Sequence, residues 1–520
     1  MSLSKLWLVA LLMMLAPGVL AAPPKTGLVG EPATLAERLE RFSLSIHGNV
    51  RVRASALSNF DLDRGLTPSG LALFPLPISD PTRQTLTHAD MRARLDLSIE
   101  EPEGSGAFVR LSLLDGLSLG SVPAGAATEA SRQLSPSDAL EVIHAYARVV
   151  TPIGLILAGR TPSHFGLGIA SNGGDSEDAD HSDSADRVLF ATPLLDHVFT
   201  LAYDFGSGPS TLSGSSGRLD ADPSDDTRTV TIAAVKLRSD RSRERRARAG
   251  KATWDYGLAL SHRFQDRAYP VSEASGGAPV RSQVIERGYR AYAGDAWIRF
   301  TRRRLRVEAE AVVAGATFAQ ASLIPGVLLR DPVTALQAGA ALETEFDLDP
   351  VRLGLDVGFA SGDSAPGFGA RVELTTLPAR PGDLDGGQVG PPDDLSADNF
   401  RFHPEYRIDR ILFREIIGRI TDAAYLRPRV SVRILEVGNG TLSASLSGVL
   451  SMALFGSSTP SGESPLGVEL DPTISWINRD GFRLTFEHAV LFPLAGLDNP
   501  AEALTARPAQ LFRGRLIYAF

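Results

Sequence analysis

The chain of 520 residues contains no cysteine. That excludes a disulfide framework, thiolate metal ligation, a cysteine nucleophile and a lipid-modified N-terminal cysteine. Beyond residue 21 there is no run approaching the roughly 20 apolar residues of a transmembrane helix. No nucleophile elbow, HExxH or phosphate-cradling loop is present, so no catalytic residue and no cofactor are expected. Excess basic charge is missing too. The 52 basic residues face 61 acidic ones, a net charge of −9, which argues against nucleic acid as a partner. No proline- or serine-rich linker divides the chain into soluble domains.

What is present is alternation. Leu44, Ile46, Gly48, Val50, Val52, Ala54 and Ala56 are interleaved with Ser45, His47, Asn49, Arg51, Arg53 and Ser55. A period of two is the signature of a strand with one apolar and one polar face. The pattern recurs along the chain in about 18 segments. It is clearest at 304–316 and 350–360, and weakest at 187–192 and 228–238. It returns at the end, where Phe512, Gly514, Leu516, Tyr518 and Phe520 oppose Arg513 and Arg515, with Ile517 the large apolar exception. Alternation hides apolarity in the average, which explains a mean hydropathy near zero.

The connections carry further information. Short turns at 101–105, Thr151–Gly154, Pro193–Asp196, Arg302–Arg304, Leu348–Pro350, Val437–Gly440 and Asn478–Gly481 alternate with long ones. A soluble β-sandwich or β-solenoid would alternate in hydropathy but would not sort its loops this way. The pattern predicts an all-β fold, a transmembrane antiparallel up-and-down barrel of about 18 strands. Short periplasmic turns, long extracellular loops and two periplasmic termini follow from it. One turn is exceptional, the medium-length basic stretch Arg238 to Lys251, for which solvation or contact with anionic lipid is expected.

The N-terminus fits export. Lys5, the apolar run Leu6 to Leu15 and the small residues up to Ala21 form a signal peptide, with cleavage expected after Ala21. Residues 22–41 then form a short periplasmic segment with a possible helix from Ala33 to Arg41, and 42–520 form the barrel. The expected location is the outer membrane of a Gram-negative bacterium. The aromatic terminal strand, with Tyr518 and Phe520, resembles the signal read by the barrel-assembly machinery. That machinery, outer-membrane lipid and small solutes are the expected partners.

Two segments carry a family resemblance. Gly159-Arg160-Thr161-Pro162-Ser163-His164-Phe165-Gly166-Leu167-Gly168 ends a strand and opens an acidic loop. Phe402-His403-Pro404-Glu405-Tyr406-Arg407-Ile408-Asp409-Arg410-Ile411-Leu412-Phe413-Arg414 closes the longest connection. Both resemble an outer-membrane barrel family of myxobacteria and their relatives. The first is also similar to the alginate-export and OprD-like porins. The resemblance implies an 18-stranded, porin-like channel and names no solute.

Strand parity supplies the candidate lumen residues. Arg51, Arg53, Arg92, Arg94, Arg513 and Arg515 fall on inward positions of the first, second and last strands, which must adjoin if the barrel closes. Glu308, Glu310, Glu343 and Glu345 cluster about half a circumference away. Opposed walls of opposite charge would orient polar solutes, or the charges would pair among themselves and stiffen the wall. The loop bearing Asp175, Glu177, Asp178, Asp180, Asp183 and Asp186 is dense in carboxylates. Three readings stand: a solvated loop, a constriction folded against the arginines, or a Ca²⁺ site, although its spacing is not that of an EF-hand. The leading function is a passive channel for small polar or charged solutes. The alternatives are a structural or docking barrel plugged by the connection Ser361 to Ala423 and, less favoured, an outer-membrane hydrolase.

Overall fold

A computed structural model of the chain describes residues 42–77, 84–119, 140–206, 224–268, 284–322, 327–371 and 379–520. The expected signal peptide and the expected periplasmic segment 22–41 lie outside the described residues. Eighteen strands run in sequence: β1 (Ser43–Ser58), β2 (Thr85–Glu100), β3 (Gly106–Ser118), β4 (Leu140–Thr151), β5 (Gly154–Pro162), β6 (Ser184–Leu194), β7 (His197–Phe205), β8 (Arg228–Lys236) and β9 (Thr253–Ala268). The second half comprises β10 (Ile285–Arg302), β11 (Leu305–Phe318), β12 (Val333–Asp347), β13 (Val351–Ala360), β14 (Ala423–Val437), β15 (Gly440–Ala453), β16 (Pro465–Asn478), β17 (Phe482–Pro493) and β18 (Ala509–Ala519).

Each strand pairs antiparallel with the next, and β18 pairs with β1, so the sheet closes on itself. Closure leaves no edge, the condition for a sheet to sit in lipid. At the seam Arg53 stands opposite Arg515 and Ser55 opposite Arg513, while Arg51 faces Arg92 on β2. Leu44, Ile46, Val50, Phe512, Leu516, Tyr518 and Phe520 are exposed on the outer face, whereas Arg51, Arg53, Arg92 and Arg513 are buried inside. The expected parity therefore holds at the seam. Ile517, the apolar exception, is an inward residue and buried.

The two weak segments are both strands. The region expected at 187–192 extends over Ser184–Leu194, pairing with β5 from Ser184 onward and ending at Leu195-Asp196, which take the positive-φ geometry of a two-residue hairpin. The basic stretch expected as a plain turn instead contains a helix, α1 (Asp240–Arg248). Ser239 caps it by accepting from the Ser242 N–H at 3.3 Å. Asp240 in its first turn and Arg245, Arg246 and Arg248 in its last complement the helix dipole.

Two long connections fold into the lumen. The larger, described over 361–371 and 379–422, buries Phe368, Phe402, Ile411, Leu412, Phe413, Ile416 and Ile417 against inward residues such as Leu57, Val312, Leu491 and Leu511. Gly339 on β12 admits it, since a Cβ there would strike the ring of Phe400. At about 1.5–3 kcal/mol per buried large apolar side chain, seven such residues contribute roughly 10–20 kcal/mol gross, before ordering costs. The connection is thus a packed element of the fold and not an extended surface loop.

Candidate functional site

The acidic loop between β5 and β6 is the centre of the lumen. It is held first at its own β5 end, where the Gly168 N–H donates to Glu310 Oε2 on β11 at 2.8 Å. The chain then crosses to the arginine wall. Arg94 donates to the carbonyls of Gly174 (2.8 Å) and Ala179 (3.0 Å), and Arg92 donates to those of Glu177 (2.7 Å) and Ala179. Carbonyl ends thus face the wall at Gly174, Glu177, Asp178 and Ala179, adding partial negative charge to that of the carboxylates.

Asp178 and Asp180 form the knot. Asp180 lies 2.7 Å from Arg51, 3.1 Å from Arg53, 2.9 Å from Arg407 and 3.4 Å from Arg414. Asp178 pairs with Arg51 (3.3 Å), Arg53 (3.6 Å), Arg407 (3.4 Å) and Arg515. Burial pushes both carboxyls up, but the surrounding guanidiniums outweigh it and hold both well below the usual carboxylate range. A second joint ties this loop to the large inward connection. Glu405 Oε1 accepts from the N–H groups of Asp180 (2.7 Å) and His181 (2.8 Å), and from Arg407. Burial lowers the pKa of His181.

The six wall arginines are brought together, but they do not face open water. Asp90 on β2 binds Arg51 at 3.2 Å and Arg53 at 2.9 Å. Arg513 pairs with Glu415 at 3.1 Å, and Arg515 pairs with Glu487 at 3.1 Å. Glu415 lies in the inward connection. Burial raises its pKa, but Arg513 and Arg414 overcome this and lower it.

Of the other loop carboxylates, Asp175 binds Arg110 at 2.7 Å, Glu177 binds Arg483 at 2.9 Å, and Asp183 lies 3.5 Å from His403. Asp186 corrects the expectation. It belongs to β6, shares the outward parity of exposed Val188, and pairs with Arg160 at 2.8 Å on the outer face. It is not part of the constriction. Asp175, Glu177, Asp178 and Asp180 are engaged by guanidiniums, and among the described residues no group of three or more His, Cys, Asp or Glu is arranged to hold a metal ion.

The acidic wall is paired as well. Glu308 accepts from Trp297 (2.9 Å) and Arg306 (2.5 Å); Glu343 pairs with Arg306 (3.4 Å); Glu345 pairs with Arg352 and Arg429 (both 3.3 Å). Glu310 is buried beneath the acidic loop.

Several members of the site are not among the expected lumen residues: Asp90, Glu487, Glu415 and Glu469, and Glu405, Arg407 and Arg414, which the motif Phe402–Arg414 contains but to which it assigns no role. Asp90 and Glu487 share strand parity with the arginines and were recoverable from it. Glu469 on β16 was recoverable in the same way, and the others needed the path of the inward connection. Glu469 on β16 fixes that path, accepting from the N–H groups of Arg410 (2.7 Å), Ile411 (2.8 Å) and Leu412 (3.0 Å) at the start of a one-turn π-helix, Leu412–Ile417. Where the two loops and the wall meet lies a polar cavity of about 70 Å³, lined by His88, Asp180, His403, Arg407, Arg414 and Arg513 among others.

Several solved structures from Pseudomonas are similar to this chain. OpdK of Pseudomonas aeruginosa with vanillate matches with a TM-score of 0.45 at 9% identity, over 92% of this chain and 98% of that one. OccK8 (OprE) of the same organism matches at 0.44 and 9%, over 92% and 98%. A BenF-like porin from Pseudomonas fluorescens Pf-5 matches at 0.43 and 10%, again over 92% and 98%. With TM-scores below 0.5 and identities of about 10%, nothing about this chain is argued from these likenesses. No protein-family model and no curated protein matches the chain.

Proposed function

We propose that the chain is a porin-like outer-membrane channel for passive diffusion of small polar or charged solutes, with its short turns in the periplasm. One observation carries this reading. The centre of the lumen is crossed by a lattice of charge around Asp178 and Asp180, with a polar cavity beside it, where a purely structural barrel needs only an apolar seal. Such a constriction admits water and orients dipolar solutes as they pass. The resemblance of Gly159–Gly168 and Phe402–Arg414 to myxobacterial barrels, and of Gly159–Gly168 to OprD-like porins, supports the same reading.

A second reading, a docking or structural barrel with a closed lumen, is favoured by one feature: the apolar packing of 361–422 inside the wall. Reconstitution of the purified protein into a planar bilayer separates the two. Discrete current steps are expected of the channel, and their absence from folded protein would favour the plugged barrel.

A further inference from the structure

The lumen arginines are paired and covered, so they make a poor source of long-range field. Among the described residues, a cluster of cations without carboxylate partners lies elsewhere. Between β8 and β9 stand Arg238, Arg241, Arg243, Arg245, Arg246, Arg248 and Lys251, against only Asp240 and Glu244. Arg243 is taken up by Asp240 and Asp255, and Arg248 has a loose, exposed contact with Glu244 at 3.7 Å. Among the described residues no carboxylate pairs with Arg241, Arg245 or Lys251. The same holds for Arg302, Arg303 and Arg304, which form the neighbouring turn. The two turns are contiguous, for a Cβ on Gly250 would lie 3.5 Å from Arg303 Nε.

The side on which this cluster sits is decided by Asp255. Its flanking residues Trp254 and Tyr256 are exposed on the outer face, as is Ile298 beside Arg299, so Asp255 and Arg299 point into the lumen. Asp255 accepts from the Arg238 N–H at 2.8 Å, Arg243 Nη1 at 3.2 Å and Arg299 Nη2 at 3.1 Å. These bonds draw the start of α1 to the lumen side of the wall and leave Arg241, Arg245 and Arg248 on its exposed face.

The carboxylates nearest the collar are paired, whereas Glu436 and Asp480, with no cation partner among the described residues, stand at the β14–β15 and β16–β17 turns, four and six strands beyond the β10–β11 turn. Asp196 pairs with Lys236 at 2.7 Å, Asp347 with Arg352 at 3.5 Å, and Asp349 with Arg433. The acidic pair Glu101 and Glu103 sits in the β2–β3 turn, six strands away around the barrel.

We propose that this basic collar on the short-turn rim, and not the buried arginine wall, sets the charge selectivity of the conduit, giving it a preference for anions. The inference rests on the channel reading. Uncompensated charge at a mouth concentrates counter-ions there, and it acts over about 30 Å at 0.01 M salt but only about 3 Å at 1 M. Arginine keeps this charge at any working pH.

The test is the reversal potential of the full-length protein in bilayers under a low-salt KCl gradient. It compares wild type with the triple variants R241Q/R245Q/R248Q and R241E/R245E/R248E. These side chains are exposed and outside the constriction, and retained unit conductance in 1 M KCl reports an intact pore. Wild type should favour chloride. The Gln variant should lower the chloride-to-potassium permeability ratio by at least roughly threefold, the Glu variant further, and both effects should vanish in 1 M salt. An unchanged ratio at low salt in either conducting variant, or a cation-selective wild type, would overturn the proposal. A wild type that passes no current would instead overturn the channel reading, and this inference with it.

Discussion

Replacing both Asp178 and Asp180 with Asn should release the acidic loop from the wall. The two carboxylates contact five arginines, from β1, β18 and the inward connection, at distances down to 2.7 Å. Amides keep the shape and the acceptor oxygens but remove the charge, leaving buried guanidiniums short of counter-charge. Breaking a buried ion pair from one side costs about 3–5 kcal/mol. Spent on loop opening, that raises the open population by roughly two to three and a half orders of magnitude, since each 1.4 kcal/mol is tenfold. Amide hydrogen exchange over residues 174–181 measures it directly. Those amides should lose protection by about that factor, while amides in β1, β2 and β18 keep theirs. Unchanged protection in the double variant would refute the view that these charges hold the loop. The pH dependence has a definite sign. Both folded-state pKa values are depressed, so their stabilisation is fully present above the unfolded value near 4 and is lost progressively as pH falls from there through the folded values. The wild-type loop should therefore keep its protection from pH 8 down to about pH 4.

Three further outcomes are expected. Asp409, on the inward connection beside Glu469 and Asp471, has its carboxyl pushed up to about 7 by burial, with a further rise from Asp471. A raised folded pKa means stabilisation present below about pH 4 and lost as pH rises through about 7, so proteolysis of 361–422 should be slower at pH 5 than at pH 8, and Asp409→Asn should flatten the difference. Gly339→Val should overpack the seat of Phe400 at a cost of about 1–3 kcal/mol, read as a lower unfolding midpoint with the barrel still assembled. Deleting Phe520 removes two seam hydrogen bonds to Gly48, both 3.0 Å, and an aromatic contact on that glycine; folded yield should fall, and normal yield would contradict its part in closure.

The wall was legible in the sequence because strand parity is a local property. Alternation at Ser43–Ser58 and Ala509–Ala519 is enough to turn Arg51, Arg53, Arg513 and Arg515 inward, and closure makes them neighbours. The short turns were legible for the same reason. The lumen contents were not. Whether a long connection folds inward depends on partners hundreds of residues distant, as with Asp178 and Arg515 or Glu405 and Asp180. Nothing in the composition of 361–422, rich in glycine, proline and aspartate, distinguishes an exposed loop from one whose aromatic and aliphatic residues pack inside a barrel. Asp186 was assigned to the loop because β6 was read three residues too short at its start, which hid its outward parity. The helix at Asp240–Arg248 was missed because a run of arginines carries no apolar period.

The central claim is that the charged constriction is a passage. Single-channel recording of purified wild type and the Asp178→Asn/Asp180→Asn variant in planar bilayers tests it most directly. The account predicts small, discrete steps for wild type and larger or more frequent ones for the variant, whose loop no longer spans the lumen. Folded protein that passes no current in either form would contradict it and leave a closed barrel.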